Sequence, residues 1–411
     1  MKIEIDTGRI VAEIEELAAI SDAEAPAVTR VVFTSTDVKA RAWLEGRCAE
    51  VGLIVRQDPV GNIFARWSGT DPSLPAVGTG SHIDAIPNAG KYDGVVGVLG
   101  GLEAIRSLQR SGLRPRHSLE LLMFTAEEPT RFGIGCLGSR MLSGSLAPPA
   151  AQELRDGDGA SLDEARERAG IVGDLGAVEL PLGYYKAFVE LHIEQGALLE
   201  LQGIPLGVVT NIAAPASLRI SIEGEGGHAG AVLMEGRRDA LCAAAELILA
   251  IEKAAQDSRA ADTVATVGMC DVFPGAVNSI PSRVRLTADI RDTSLERRDQ
   301  IIRIIGSAAK LIAETRHVSI QCELLNADAP ATCATSVVEA LSQSCRKHNF
   351  GFLPMVSRAY HDTLFMSRIV PAGMLFIPCR NGYSHRPDEY ASPEDIGRGA
   401  LVLAETLAVL A

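Results

Sequence analysis

Between residues 75 and 125 the chain runs apolar, then amphipathic, then apolar again: LPAVGTGSHI, GVVGVLGGLEAIRSLQRSG, SLELLMFTAEE. Short continuous apolar runs bounded by turn residues predict strands buried on both faces. The segment between them, closed by Gly112, predicts the helix of a βαβ unit. A further apolar strand, YYKAFVELHIE, follows a polar and acidic stretch from about 150 to 180 that reads as helices and loops on the outside. After GVVTNIAAPA the pattern changes. SLRISIEGE alternates like a half-buried strand, RRDALCAAAELILAIEKAAQ repeats every 3.6 residues, DTVATVGMCDV and RVRLTADIRD read as strands, LERRDQIIRIIGSAAKLIAE as a helix and HVSIQCEL as a strand. That order is βαββαβ, a split βαβ sandwich. The expected architecture is therefore α/β: a catalytic mixed-sheet domain built from 1–212 and 327–411, with an inserted two-layer βαββαβ sandwich at 213–326.

Open α/β sheets collect functional groups at the carboxyl ends of their strands. Here three predicted strands end at His82, at Glu127 with Glu128, and at His192; Asp93 starts the helix after His82, and His385 follows the short apolar run GMLFIP. Each alone has an ordinary explanation, such as a turn, a solvated pair or, for Asp93, a helix N-cap. Together they do not, because two adjacent glutamates at an apolar strand end repel and lose solvation unless a cation neutralises them. Histidines and carboxylates without cysteine suit Zn²⁺, Mn²⁺ or Co²⁺, and five such ligands fit two ions sharing one carboxylate. Two ions about 3.5 Å apart activate a water and polarise the carbonyl it attacks. One carboxylate must stay free as general base, and either Glu127 or Glu128 can serve. Asp84, beside the strand of His82, is placed to orient that imidazole.

The inserted segment adds other candidates. GEGGHA fits a dinucleotide-binding fingerprint, but the helical pattern begins only near Gly236, so the glycines do not abut a helix N-terminus and that reading fails. His228 remains, in a glycine-rich turn. Asn278 lies in a loop and Arg291 at a strand end, where a guanidinium can grip a carboxylate through two parallel bonds or simply pair with Asp289 or Asp292. His361 and Asp362, in SRAYHDTLFM, form a third cluster whose ordinary explanation is a capped helix start.

A formal net charge of −13 argues against nucleic acid and anionic membranes as partners, so an anionic substrate needs its own arginine. No apolar run approaches the roughly 20 residues that span a bilayer. The start has no apolar leader core, and the eight scattered cysteines contain no CxxC pair, so reduced thiols in a cytoplasm are expected.

In order from about residue 30 onward, TGSHIDAIPNAGKYDG, FTAEEPTRFGIGCLGSR, ELHIEQG, GGHAGAVLM, NSIPS, DIRD, RAYHD and GYSHRPDEY resemble the M20-type di-metal amidohydrolases that cleave N-carbamoyl and ureido groups. The resemblance implies that Asp93 bridges two metal ions, with His82 and His192 completing one and Glu128 and His385 the other. Glu127 is then the general base. It further implies a homodimer whose inserted sandwich is a lid and dimerisation domain, with His228, Asn278 and Arg291 contributed across subunits and His228 stabilising the oxyanion. Gln195, Asn278, Arg291 and His361 match substrate-holding positions, while Tyr383, with His361 and the loop around Asn278, discriminates among substrates. The implied substrate is a small anionic ureido compound and the implied metal Mn²⁺, although the ligand set also permits Zn²⁺ or Co²⁺. IEQG after His192 separates the chain from peptidases of the same fold, which usually place an acidic residue at the ligand position.

Overall fold

Four strands, β1 (Ala76–His82), β2 (Leu119–Phe124), β3 (Tyr185–Ile193) and β4 (Ala372–Ile377), run parallel in the spatial order β4-β3-β1-β2. They form the middle of a nine-stranded mixed sheet in the computed structural model, which describes residues 2–411. Antiparallel strands extend it on both sides: Ile63–Trp67 and Ile54–Gln57 beyond β2, and Leu206–Ile212 beyond β4. Apart from Lys186, every residue of the four parallel strands is buried. Their near-continuous apolar runs follow from this, since both faces are covered and neither needs polar side chains.

Alternate residues of β2 feed two cores. Leu121 and Met123 pack with Val96, Leu99, Leu102 and Ile105 of α1 (Val95–Arg110), together with Leu403 and Leu407 near the C-terminus. Leu122 and Phe124 pack on the other face with Phe188, Leu137 and Met141, the last two from α2 (Leu137–Leu142), and with Leu162 and Leu175. Each such buried Leu, Phe or Met contributes about 1.5–3 kcal/mol. The stretch expected to be peripheral thus supplies part of the second core.

Two local expectations change. β2 stops at Phe124, and Ala126 adopts a left-handed φ of 52°, so Glu127 and Glu128 sit on the loop beyond the strand and not at its last position. The N-cap of α1 is Gly94, which leaves the Asp93 carboxylate free of capping.

The chain divides into two units: one comprises the chain through Thr210, with Thr332–Met355 and His361–Ala411, and the other Asn211–Ala331 with Val356–Tyr360. In the second unit, strands Val264–Phe273, Arg283–Asp292, Ala214–Glu223 and Ser319–Ala327 form an antiparallel sheet in that order. Helices Ala240–Asp257 and Leu295–Arg316 pack on it through Leu247, Ile251, Ile301 and Ile305 against Ile220, Ile222, Leu286 and Ile290. The strict alternation along Arg283–Asp292 is what a strand with one covered face requires. Among the described residues no helix is long and apolar enough to cross a membrane.

Candidate active site

Parallel register brings the first two histidines together. Thr79 lies opposite Val189, so three residues further on His82 comes beside His192, with ring centroids 6.0 Å apart. Asp93 Oδ1 is 3.5 Å from His82 Nε2 and 3.1 Å from His192 Nε2. Its other oxygen is 3.5 Å from His385 Nε2, which in turn is 3.2 Å from Glu128 Oε1. Two triads share Asp93, His82–Asp93–His192 and Asp93–Glu128–His385, each with donor atoms within 4.8 Å of one another; a third buried group of the same kind, Glu190–His192–His361, shares His192. Glu127 belongs to none of these, yet its Oε2 is 3.7 Å from His82 Nε2.

Backbone carbonyls fix the two imidazoles. His82 Nδ1 is 3.1 Å from the Asp84 carbonyl and His192 Nδ1 is 2.9 Å from the Ile193 carbonyl. Carbonyls only accept, so each Nδ1 carries a proton, and each Nε2, facing Asp93, is the ring atom left to bind a metal ion. The Gly94 N–H donating to His192 Nε2 at 3.1 Å agrees with this tautomer.

Burial pushes Glu127 above the usual carboxylate range, with the charges of Glu128, Asp362 and Asp93 adding to it and His82 opposing. Burial likewise raises Glu128, against its bond to His385. That bond is the main reason His385 is raised to about 9. Asp93 goes the other way: burial alone would raise it, but His192 and His82 hold it well below the ordinary value. Three buried carboxylates and two buried imidazoles, with the exposed His385 at their edge and two of the acids resisting ionisation, fit a pair of divalent cations whose charge would relieve that cost.

Gly94 makes the packing possible. Its φ is +65°, and a Cβ there would lie 2.4 Å from His82 Nε2. Gly94→Ala is therefore expected to displace His82 and weaken divalent-metal affinity roughly ten- to a hundredfold, measured by calorimetric titration. Unchanged affinity would mean that His82 does not ligate.

The loop that carries the two glutamates is held from both sides. Asp84, expected to orient His82, meets that ring through its carbonyl at 3.1 Å and its carboxylate at 3.6 Å from Nδ1, and the same carboxylate accepts the amides of Glu127 at 3.2 Å and Glu128 at 3.1 Å. From the opposite side the amides of Cys136, Leu137 and Gly138 donate to the carbonyls of Glu127, Ala126 and Thr125 at 2.8, 2.9 and 2.8 Å.

Other residues enter that sequence reasoning passed over. Glu389 Oε1 accepts the amides of Tyr92 at 2.8 Å and Asp93 at 3.0 Å, and its Oε2 accepts the Ser384 hydroxyl at 2.8 Å, tying the Asp93 loop to the His385 loop. Its only signal was its place in GYSHRPDEY, where an acid reads as solvated. The same Ser384 Oγ lies against Asp93 Oδ2, so its one proton is shared between the two carboxylates. Arg30, buried, donates to the carbonyl of Ile83 between His82 and Asp84 at 2.6 Å.

Among the expected substrate contacts in this unit, Gln195 Nε2 donates to Asp93 Oδ2 at 2.6 Å, and its Oε1 is buried with no hydrogen-bond partner among the described residues. The His361 ring is 4.5 Å from that of His192. Asp362 makes no cap bond, since His361 occupies the N-cap position; Asp362 is buried and accepts Ser139 Oγ at 2.5 Å. Tyr383 is half-buried, with the Arg386 guanidinium 3.8 Å from its ring centre.

His228, Asn278 and Arg291 belong to the second unit. His228 is exposed, and its Nδ1 accepts the Gly230 amide at 3.1 Å, which leaves Nε2–H as the donor of the neutral ring. The Asn278 carbonyl accepts the Ala229 amide at 2.9 Å, joining its loop to the His228 turn. Arg291 takes the surface pairing here: it is bidentate to Asp289, at 2.7 and 3.3 Å.

The sequence profile of "Peptidase family M20/M25/M40" matches residues 78–409. Ureidoglycolate hydrolase of Arabidopsis thaliana is 52% identical over 415 residues, covering 99% of this chain and 87% of that protein. N-carbamoyl-L-amino acid amidohydrolase of Geobacillus stearothermophilus is 39% identical over 98% of both. The crystal structure of AtUAH in complex with glyoxylate superposes with a TM-score of 0.91 at 51% identity, covering 99% of this chain and 98% of that one.

Proposed function

Because the chain belongs to peptidase family M20/M25/M40, we propose that its paired triads serve amide hydrolysis, and that the bond cleaved is the terminal ureido C–N bond of (S)-ureidoglycolate. The carrying observation is that Asp93 is common to both triads while Glu127 lies beside them and outside both. Two divalent ions held by His82, His192, Asp93, Glu128 and His385, Mn²⁺ in our reading, would supply Lewis acidity and lower the pKa of a water.

Glu127 accepts the proton of the attacking water and returns it to the departing ammonia. The neutral His228 ring donates from Nε2–H to the oxygen that gains charge, reaching the site from the partner subunit of a homodimer. Arg291 exchanges Asp289 for the substrate carboxylate, with Asn278 beside it. Gln195 Oε1, otherwise unpartnered, accepts a ureido N–H, and His361 and Tyr383 bound the space left for the rest of the substrate. The carbamate formed when the C–N bond breaks loses carbon dioxide, and the remaining hydroxyglycine loses ammonia to give glyoxylate. We place the enzyme in the cytoplasm, in ureide degradation.

Ammonia release from ureidoglycolate, allantoate and N-carbamoylglycine, each with Mn²⁺, tests the substrate. Ureidoglycolate is expected to be preferred in kcat/KM by roughly a hundredfold, the discrimination a few well-placed polar contacts provide. Preference for either competitor would reassign the enzyme to the allantoate or carbamoylase branch.

A further inference from the structure

Taking Glu127 as the general base, as proposed above, we infer that Cys136 is a positioning residue for it: the thiol holds one carboxylate oxygen so that the other faces the reacting water. Cys136 is fully buried, and its Sγ is 3.5 Å from Glu127 Oε1. Glu127 Oε2 is the oxygen near His82. The two oxygens therefore have different partners, a thiol for one and the site for the other.

Backbone geometry fixes this pairing. Cys136 has a left-handed φ of 55°, and its own amide donates to the Glu127 carbonyl at 2.8 Å. The next two amides continue the contact along the same loop. Gly138 permits the approach, since a Cβ there would lie 2.0 Å from Asn62 Oδ1 and 2.7 Å from the Thr125 nitrogen. Side chains nine residues apart are thus pressed face to face by two rigid segments.

The chemistry of the thiol suits a holding role. Burial pushes it well above the usual thiol range, so it stays S–H, a donor and not a nucleophile. Without that donor the carboxylate is free to turn about its last torsion, which has broad, shallow preferences. Alignment must then be recovered in every turnover, at a cost set by the lost hydrogen bond to a charged group.

The test compares variants of the intact, Mn²⁺-loaded enzyme by ammonia release from ureidoglycolate, with metal content and melting temperature measured on the same samples. For Cys136→Ala we expect kcat to fall about tenfold, with KM within about twofold and metal content unchanged. Cys136→Ser restores a donor on a shorter bond and is expected to recover at least about a third of the wild-type kcat. Should Ala melt low, Cys136→Gly, which relieves the positive φ and also lacks a donor, is expected to share the kcat loss. The inference falls if the donor-less variants keep kcat within about twofold, if Ser is no better than Ala, or if activity is lost in step with bound metal. Glu127→Gln separates the two readings. If it is inactive while Cys136→Ala is normal, only the thiol's role falls; if it turns over normally, the base assignment falls and the thiol's role with it.

Discussion

Glu127→Gln is expected to keep its fold and its metals and to lose roughly a thousandfold in kcat. The substitution preserves shape, and the loop remains held by the Asp84 carboxylate on its amides and by the Cys136–Gly138 amides on its carbonyls. The amide retains an oxygen for the Cys136 thiol but cannot take up a proton. The readings are kcat by ammonia release, bound metal by elemental analysis and the melting temperature. A loss below about tenfold would shift the base to another group, with Glu128 the first candidate.

Asp93→Ala is expected to abolish retention of both metal ions, whereas His385→Ala should remove one of the two. Asp93 is the residue common to both triads, with one oxygen toward His82 and His192 and the other toward His385. Losing it leaves each ion two protein ligands, while losing His385 leaves the His82–Asp93–His192 triad complete. Chelation of the wild-type enzyme should stop turnover and lower the melting temperature, since a ligand that binds only the folded state at about a thousand times its Kd contributes about 4 kcal/mol. Elemental analysis after gel filtration gives the stoichiometry. Retention of both ions by Asp93→Ala would overturn the shared-ligand arrangement.

Much of the architecture was legible because it is periodic. The apolar runs at Ala76–His82 and Leu119–Phe124, and the alternation along Arg283–Asp292, record how many faces of each strand are covered. The histidines were legible for a related reason: His82 and His192 close apolar runs where a purely structural strand would have no use for an imidazole. The glutamate pair was legible through its cost, although its place on a loop was not, since nothing local announces the left-handed turn at Ala126.

Sequence alone determined which residue types are available and which strands they follow, because burial and period act between neighbours a few positions apart. Tertiary structure alone decided which of them meet. Glu389 closes on amides 296 and 297 residues away, the Asp84 carboxylate ties the His82 ring to the glutamate loop, Cys136 faces Glu127, and Arg291 lies against Asp289. These contacts depend on strand register and loop closure, and directional hydrogen bonds across such separations leave no periodic trace along the chain.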